Sequence, residues 1–110
     1  MSTCTIVIPC YNEEARLDVA AFRAFAEAHD DISLLFVDDG SRDNTRVVLE
    51  QVVGSNPTRL AMLALPNNGG KAEAVRRGLL AAAERRPTFI GFWDADLATP
   101  LETIQEFKNL

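Results

Sequence analysis

A chain of 110 residues and 12.1 kDa has room for one domain core and no second. Its 47% hydrophobic and 25% charged residues exclude disorder and fibrous repeats, and a net charge of -5 is the wrong sign for tracking nucleic-acid phosphates. Its apolar runs fall well short of the roughly 20 residues that span a bilayer, and no charged leader precedes the first strand-like run, so a cytosolic chain is expected.

Cys4-Thr5-Ile6-Val7-Ile8 opens the chain as a continuously apolar strand, followed by Pro9 and Cys10. Extended, this run holds the Cys4 and Cys10 Cα atoms about 20 Å apart, beyond disulfide reach. With one His and no Cys-x-x-Cys spacing, a zinc site is not expected, and both thiols are expected to be buried without chemistry. Asn12 before Glu13 and Glu14 marks a helix start, and Leu17, Ala21, Phe25 and Ala28 form an apolar stripe. His29 stands at that helix's end, where a positive charge is favourable.

Leu34 to Val37 is the second strand; Ser41 or Asp43 then caps a helix with Val48 and Val52 on its apolar side. Leu60 to Leu65 is the third strand, and the helix after Lys71 carries a stripe of Val75, Leu79 and Ala82. On that helix Glu73 and Arg77 form an i,i+4 pair, with Arg76, Arg85 and Arg86 on the surface. Phe89 to Trp93 is the fourth strand. Thr99-Pro100-Leu101-Glu102 reads as a capping box with Pro at the first helical position, opening a helix that carries Leu101, Ile104 and Phe107.

Four strand-then-helix repeats build a parallel sheet through right-handed crossovers. The expected fold is a three-layer, Rossmann-like α/β domain with strand order 3-2-1-4. The sequence ends one or two turns into the fourth helix, which suggests the N-terminal part of a longer protein; a small protein with a frayed last helix is the alternative.

In open parallel sheets ligands bind at the carboxyl ends of the strands. Here those ends carry Pro9, Cys10, Tyr11, Asn12, Glu13 and Glu14, then Asp38-Asp39-Gly40-Ser41, and then Asp94-Ala95-Asp96. Acids gathered on one rim repel one another unless a cation or a donor-rich ligand is present. Asp94 and Asp96, at i and i+2, point to one side, and small Ala95 lets a ligand approach the backbone. Hard cations such as magnesium or manganese suit one or two such carboxylates plus a diphosphate, although Asp-x-Asp pairs also line ordinary turns. Asp38 and Asp39 suit the N–H groups of a nucleobase or a ribose hydroxyl, while Gly40, Ser41 and Asp43 are explained by a strand-to-helix turn alone. Asn67-Asn68-Gly69-Gly70-Lys71 fails as a Walker A loop, because Leu65 and Ala72 occupy its required first and last positions. It is either a plain helix start or a glycine-lined one that turns Lys71 toward a diphosphate.

Together, Val7-Ile8-Pro9-Cys10-Tyr11-Asn12-Glu13-Glu14, Val37-Asp38-Asp39-Gly40-Ser41-x-Asp43-x-Thr45, Asn67-x-Gly69-Gly70-Lys71 and Trp93-Asp94-Ala95-Asp96 resemble the N-terminal half of family 2 glycosyltransferases. The stretch Trp93 to Pro100 is most similar to the subgroup that moves glucose or mannose from a nucleoside diphosphate to a polyprenyl or dolichyl phosphate. The resemblance implies that residues 1–110 are the donor part of a GT-A domain. It also implies an inverting transfer whose general base comes from chain beyond Leu110, with the full protein at the cytoplasmic face of a membrane. By the same resemblance, Pro9, Tyr11, Asn12 and Glu13 would line the nucleoside, Tyr11 beside the base and Glu13 toward the ribose. Asp38, with Asp39, would meet the base. Lys71 would sit near the nucleotide, and Asp94, Ala95 and Asp96 would take the diphosphate, with Asp94 and Asp96 holding magnesium or manganese.

Two alternatives stand beside it. Asp94-x-Asp96 could serve a phosphatase of the haloacid dehalogenase type, but Ala98 stands where that motif has Thr or Val. The same fold could also be a non-catalytic nucleotide- or partner-binding module. Finally, the fourth strand or its following helix is expected to mediate self-association if nothing covers that sheet edge.

Overall fold

Four strands, β1 (Cys4–Cys10), β2 (Ile32–Asp39), β3 (Leu60–Leu65) and β4 (Phe89–Phe92), form one parallel sheet in the order β3-β2-β1-β4. The computed structural model describes residues 4–108. Helices α1 (Val19–Ala28), α2 (Thr45–Ser55), α3 (Lys71–Ala83) and α4 (Thr103–Lys108) alternate with the strands. Architecture and strand order are those expected.

Strand side chains alternate between the two faces. Ile6, Ile8, Leu34 and Phe36 pack with Phe22 and Phe25 of α1, Leu49 and Val52 of α2, and Ile104 of α4. Val7, Leu35 and Val37 pack on the opposite face with Ala74 and Ala82 of α3. The Phe22 and Phe36 rings meet edge to face at 5.1 Å. Every residue of β2 is buried, and its centre, Leu34 to Val37, accordingly reads as an unbroken apolar run. β4 departs from that expectation: Phe89, Ile90 and Phe92 remain 48%, 40% and 49% exposed on an edge strand.

Several local expectations are corrected. Asn12 does not cap α1; it has φ 51, and the helix starts at Val19, where the Asp18 carboxylate accepts a bond from Ala21 N at 3.0 Å. The buried face is Phe22, Phe25 and Ala26, while Ala28 is exposed, because the two bulky rings turn toward the sheet. Asn44 holds the cap position of α2, although Asp43 does accept from Thr45 N at 2.9 Å. Ser41 instead receives Asn12 N, at 3.1 Å. Glu73 pairs with Arg76 at i+3 rather than with Arg77 at i+4, and those hydrogen bonds hold its carboxyl below the usual range. α4 begins at Thr103 rather than at Pro100, entered through i→i+3 bonds from Thr103, Ile104 and Gln105. Leu101 and Ile104 are buried as the stripe requires; the Phe107 side chain lies outside the described residues.

Both cysteines are buried at opposite ends of β1. Burial, and then the carboxylates of Glu13 and Asp38, push the Cys10 thiol far up, so it stays protonated and inert. Among the described residues, no helix is long and apolar enough to cross a membrane.

The largest correction concerns α3. Its sheet-facing line is Ala74, Gly78 and Ala82, with Val75 and Leu79 half-buried at the flanks. These small residues let the helix backbone settle onto β1 and β2. A Cβ at Gly78 would overlap Val7 Cγ1 and lie 2.8 Å from Val37 Cγ2. Both neighbours are β-branched and fully buried, so neither can swing aside. Gly78→Val should therefore lower stability by about 1–3 kcal/mol in denaturant unfolding, despite valine's better helix propensity.

Candidate functional site

The sheet order reverses between β1 and β4, since the chain builds outward from β1 through β2 and β3 before returning to add β4 on the other side. Such a switch point opens a crevice at the carboxyl ends of the strands. A cleft of about 510 Å³ lies there. Pro9, Tyr11 and Glu13 enter it from the end of β1, and Asp39 from the end of β2. Lys71 enters from the start of α3, and Asp94, Ala95 and Asp96 from the segment after β4. Register makes this possible, because Pro9 pairs with Val37 and Cys10 with Asp38, so the strands end level.

Asn12 and Asp38 are not cleft walls. Asn12 ties the β1 loop to the β2 loop: its N–H donates to Ser41 Oγ, and its Oδ1 accepts Arg42 N at 2.9 Å. Glu13 N donates to Thr45 Oγ1 at 2.7 Å, and Glu14 receives both N–H and side-chain bonds from Asn44. Asp38 is 3% exposed, and its Oδ1 accepts Ser41 N at 3.2 Å. These side chains hold one loop against the other.

Strand alternation sends Asp39 to the opposite face from Asp38, toward α3. Its buried carboxylate accepts Asn68 Nδ2 at 2.9 Å, Gly69 N at 2.9 Å and Gly70 N at 3.0 Å. The loop before α3 is thus hung on one side chain. Gly40, at φ 64, closes the same junction, where a Cβ would meet Asn67 C and Asn68 N at 2.5 Å. Only glycine fits that crossing.

The acids at the two sides of the cleft differ in what their oxygens meet. Glu13 gives Oε1 to Arg16 at 3.2 Å, while its Oε2 is buried with no donor among the described residues. An unpaired buried acceptor is costly and calls for a donor. Asp94 Oδ1 receives the Lys71 ammonium, and Asp96 Oδ1 accepts Ala98 N at 3.0 Å across a turn in which Leu97 has φ 56. Their second oxygens have no protein donor among the described residues. No cluster of three or more His, Cys, Asp or Glu able to hold a metal exists among the described residues. The donor set therefore suits a hard cation that takes one or two carboxylates and completes its shell with phosphate and water, such as magnesium.

Arg16 and Ala74 also line the cleft and were not singled out by sequence, and Asn68 and Gly70, noted there only as part of the loop before Lys71, line it as well. Arg16 had a signal in its i,i+3 spacing to Glu13, whereas Asn68 and Ala74 reach the cleft only because α3 sits so close to the sheet. Asp39→Ala should cost about 1–3 kcal/mol in chemical denaturation, since it removes the buried carboxylate to which the Gly69 and Gly70 N–H groups donate. A loss below about 0.5 kcal/mol would show that the loop holds without it.

Comparison with known proteins bears on the family and the fold. Over 103 residues the chain is 35% identical to an undecaprenyl-phosphate 4-deoxy-4-formamido-L-arabinose transferase of Shewanella sediminis, covering 91% of this chain and 30% of that protein. It is 28% identical over 115 residues to a dolichyl-phosphate beta-glucosyltransferase of Dictyostelium discoideum, covering 96% and 34%. The chain thus spans about a third of the length of these curated relatives. Among solved structures, a mannosyltransferase of Pyrobaculum calidifontis in complex with GDP-Man and Mn2+ superimposes with TM-score 0.65 at 21% identity, over 86% of this chain and 27% of that one. At that identity the likeness concerns the fold, which is the α/β Rossmann-like arrangement of GT-A glycosyltransferases. The profile of glycosyl transferase family 2 matches residues 5–109, the whole stretch that carries the sheet and its acidic rim. The chain belongs to glycosyltransferase family 2.

Proposed function

We propose that this chain supplies the donor side of an inverting hexosyltransferase that uses a nucleoside diphosphate sugar of the UDP-glucose or GDP-mannose type. In the complete protein the acceptor is a polyprenyl or dolichyl phosphate, met at the cytoplasmic face of a membrane. The observation that carries the reading is the set of residues that one cleft brings together: Tyr11 and Glu13, which suit a nucleoside, and Asp94, Asp96 and Lys71, which suit a diphosphate. The lipid-phosphate acceptor is supported by the names of the two relatives, undecaprenyl-phosphate and dolichyl-phosphate transferases.

In this reading Tyr11, 38% exposed, offers its ring to the base, and Glu13 accepts a ribose hydroxyl. Pro9 and Ala95 give the nucleotide close access to the backbone. Asp38 and Asn12 brace the wall on which the nucleoside lies, and Asp39 positions the loop that carries Lys71. Asp94 and Asp96 hold a divalent cation, magnesium or manganese, through hard oxygens. When bound, that cation supplies charge stabilisation for the departing nucleoside diphosphate. No described residue is assigned the base that activates the acceptor. A purely binding module keeps the same cleft, so turnover of a sugar donor by the complete protein separates the two.

Calorimetry with UDP and GDP, each with and without Mn2+ or Mg2+, tests the donor site. Binding is expected only with metal, and Asp96→Ala should weaken it by at least about tenfold. Undiminished metal-dependent affinity in that variant removes Asp96 from the role.

We further propose that β4 recruits a second copy of the chain. Among the described residues, β4 pairs with β1 alone, and it presents Phe89, Ile90 and Phe92 half exposed. Light scattering of the 110-residue chain at tens of micromolar should give more than a 12.1 kDa monomer. A clean monomer whose Trp93 is shielded from quencher overturns this.

A further inference from the structure

Lys71 and Asp94 are separated by 23 residues and stand on different elements, so their ion pair is a product of the fold. Three features aim the ammonium at this carboxylate. Asp39 grips the N–H groups of Gly69 and Gly70, the two residues before Lys71. Gly78 lets α3 settle onto the sheet, which brings its first residue over the end of β4. Phe92, the last residue of β4, places its ring 5.8 Å from the same ammonium.

The ammonium donates to Asp94 Oδ1, one oxygen of the carboxylate that would also hold a divalent cation. Two positive charges drawn to one carboxylate repel each other. With Lys71 60% and Asp94 53% exposed, the pair is weak enough to be displaced and mobile enough to re-form elsewhere. A diphosphate arriving with the cation gives the displaced ammonium a new anionic partner; a cation arriving alone does not.

We propose that Lys71 is a displaceable counter-ion of Asp94, one that disfavours binding of the bare cation and favours the cation together with its nucleotide. This rests on reading the cleft as a nucleotide diphosphate site. It makes Lys71 a source of coupling between the two ligands, and such coupling is reciprocal. The signature is a pair of opposite effects when the charge is removed.

The test compares wild type, Lys71→Met and Lys71→Arg in two titrations. One follows Mn2+ alone by electron paramagnetic resonance, and the other follows UDP by calorimetry at saturating Mn2+. Lys71→Met should bind Mn2+ alone about two- to fivefold more tightly. It should bind UDP several-fold more weakly, and Lys71→Arg should stay near wild type in both. The proposal is overturned if Lys71→Met binds Mn2+ no more tightly than wild type, if neither protein retains Mn2+ alone, or if both affinities fall together as general damage would make them. Failure of wild type to bind either UDP or GDP with Mn2+ present overturns the donor-site reading itself. Intact wild-type nucleotide binding with no gain of Mn2+ affinity in Lys71→Met removes only the counter-ion role.

Discussion

The distance between α3 and the sheet governs most of what the cleft can do. A helix seated through Ala74, Gly78 and Ala82 lies as close to β1 and β2 as its backbone allows, because Val7 and Val37 occupy the space where a side chain would stand. That approach brings the helix start within reach of Asp39 on one side and Asp94 on the other. A bulkier line of residues would lift Lys71 off the rim and leave the Asp39 carboxylate buried without its donors. Packing and electrostatics are here one constraint.

The rim concentrates acids that a protein of net charge -5 could have spread over its surface. Most of them are neutralised by hydrogen bonds within the loops: Asp38 by Ser41 N, Asp39 by Asn68, Gly69 and Gly70, Asp43 by Thr45, and Glu14 by Asn44. Carboxylates that accept backbone N–H groups stiffen the loops they hold. Among the described residues, Glu13 Oε2 and the outer oxygens of Asp94 and Asp96 lack a donor, and these three residues line one cleft. The loops are braced so that a small number of acceptors can be left for a ligand.

β4 stands apart from this order. Its neighbours on the α1 and α2 face include buried Leu101 and Ile104, yet its own aromatic side chains stay half exposed. It also carries, immediately beyond its end, the Asp94 and Asp96 pair on which the proposed chemistry depends.

The strands, their parallel order and the acidic rim were legible from sequence alone, because continuously apolar runs separated by helical stripes leave a chain of this length few ways to bury them. The rim position of Asp94 and Asp96 followed directly, since the end of a strand is a local property. Side-chain partners were not legible. Asp38 and Asp39 are adjacent and alike in sequence, yet the pleat sends one to a turn and the other to a loop about thirty residues away. Asn12 read as a helix cap but serves as a bridge between loops, and α3 buries its small residues where a stripe of large ones had suggested the face. Local pattern determines which elements form. Which acid is spent on the fold and which is left for a ligand depends on contacts between residues far apart in the chain, and only the packed tertiary structure decides them.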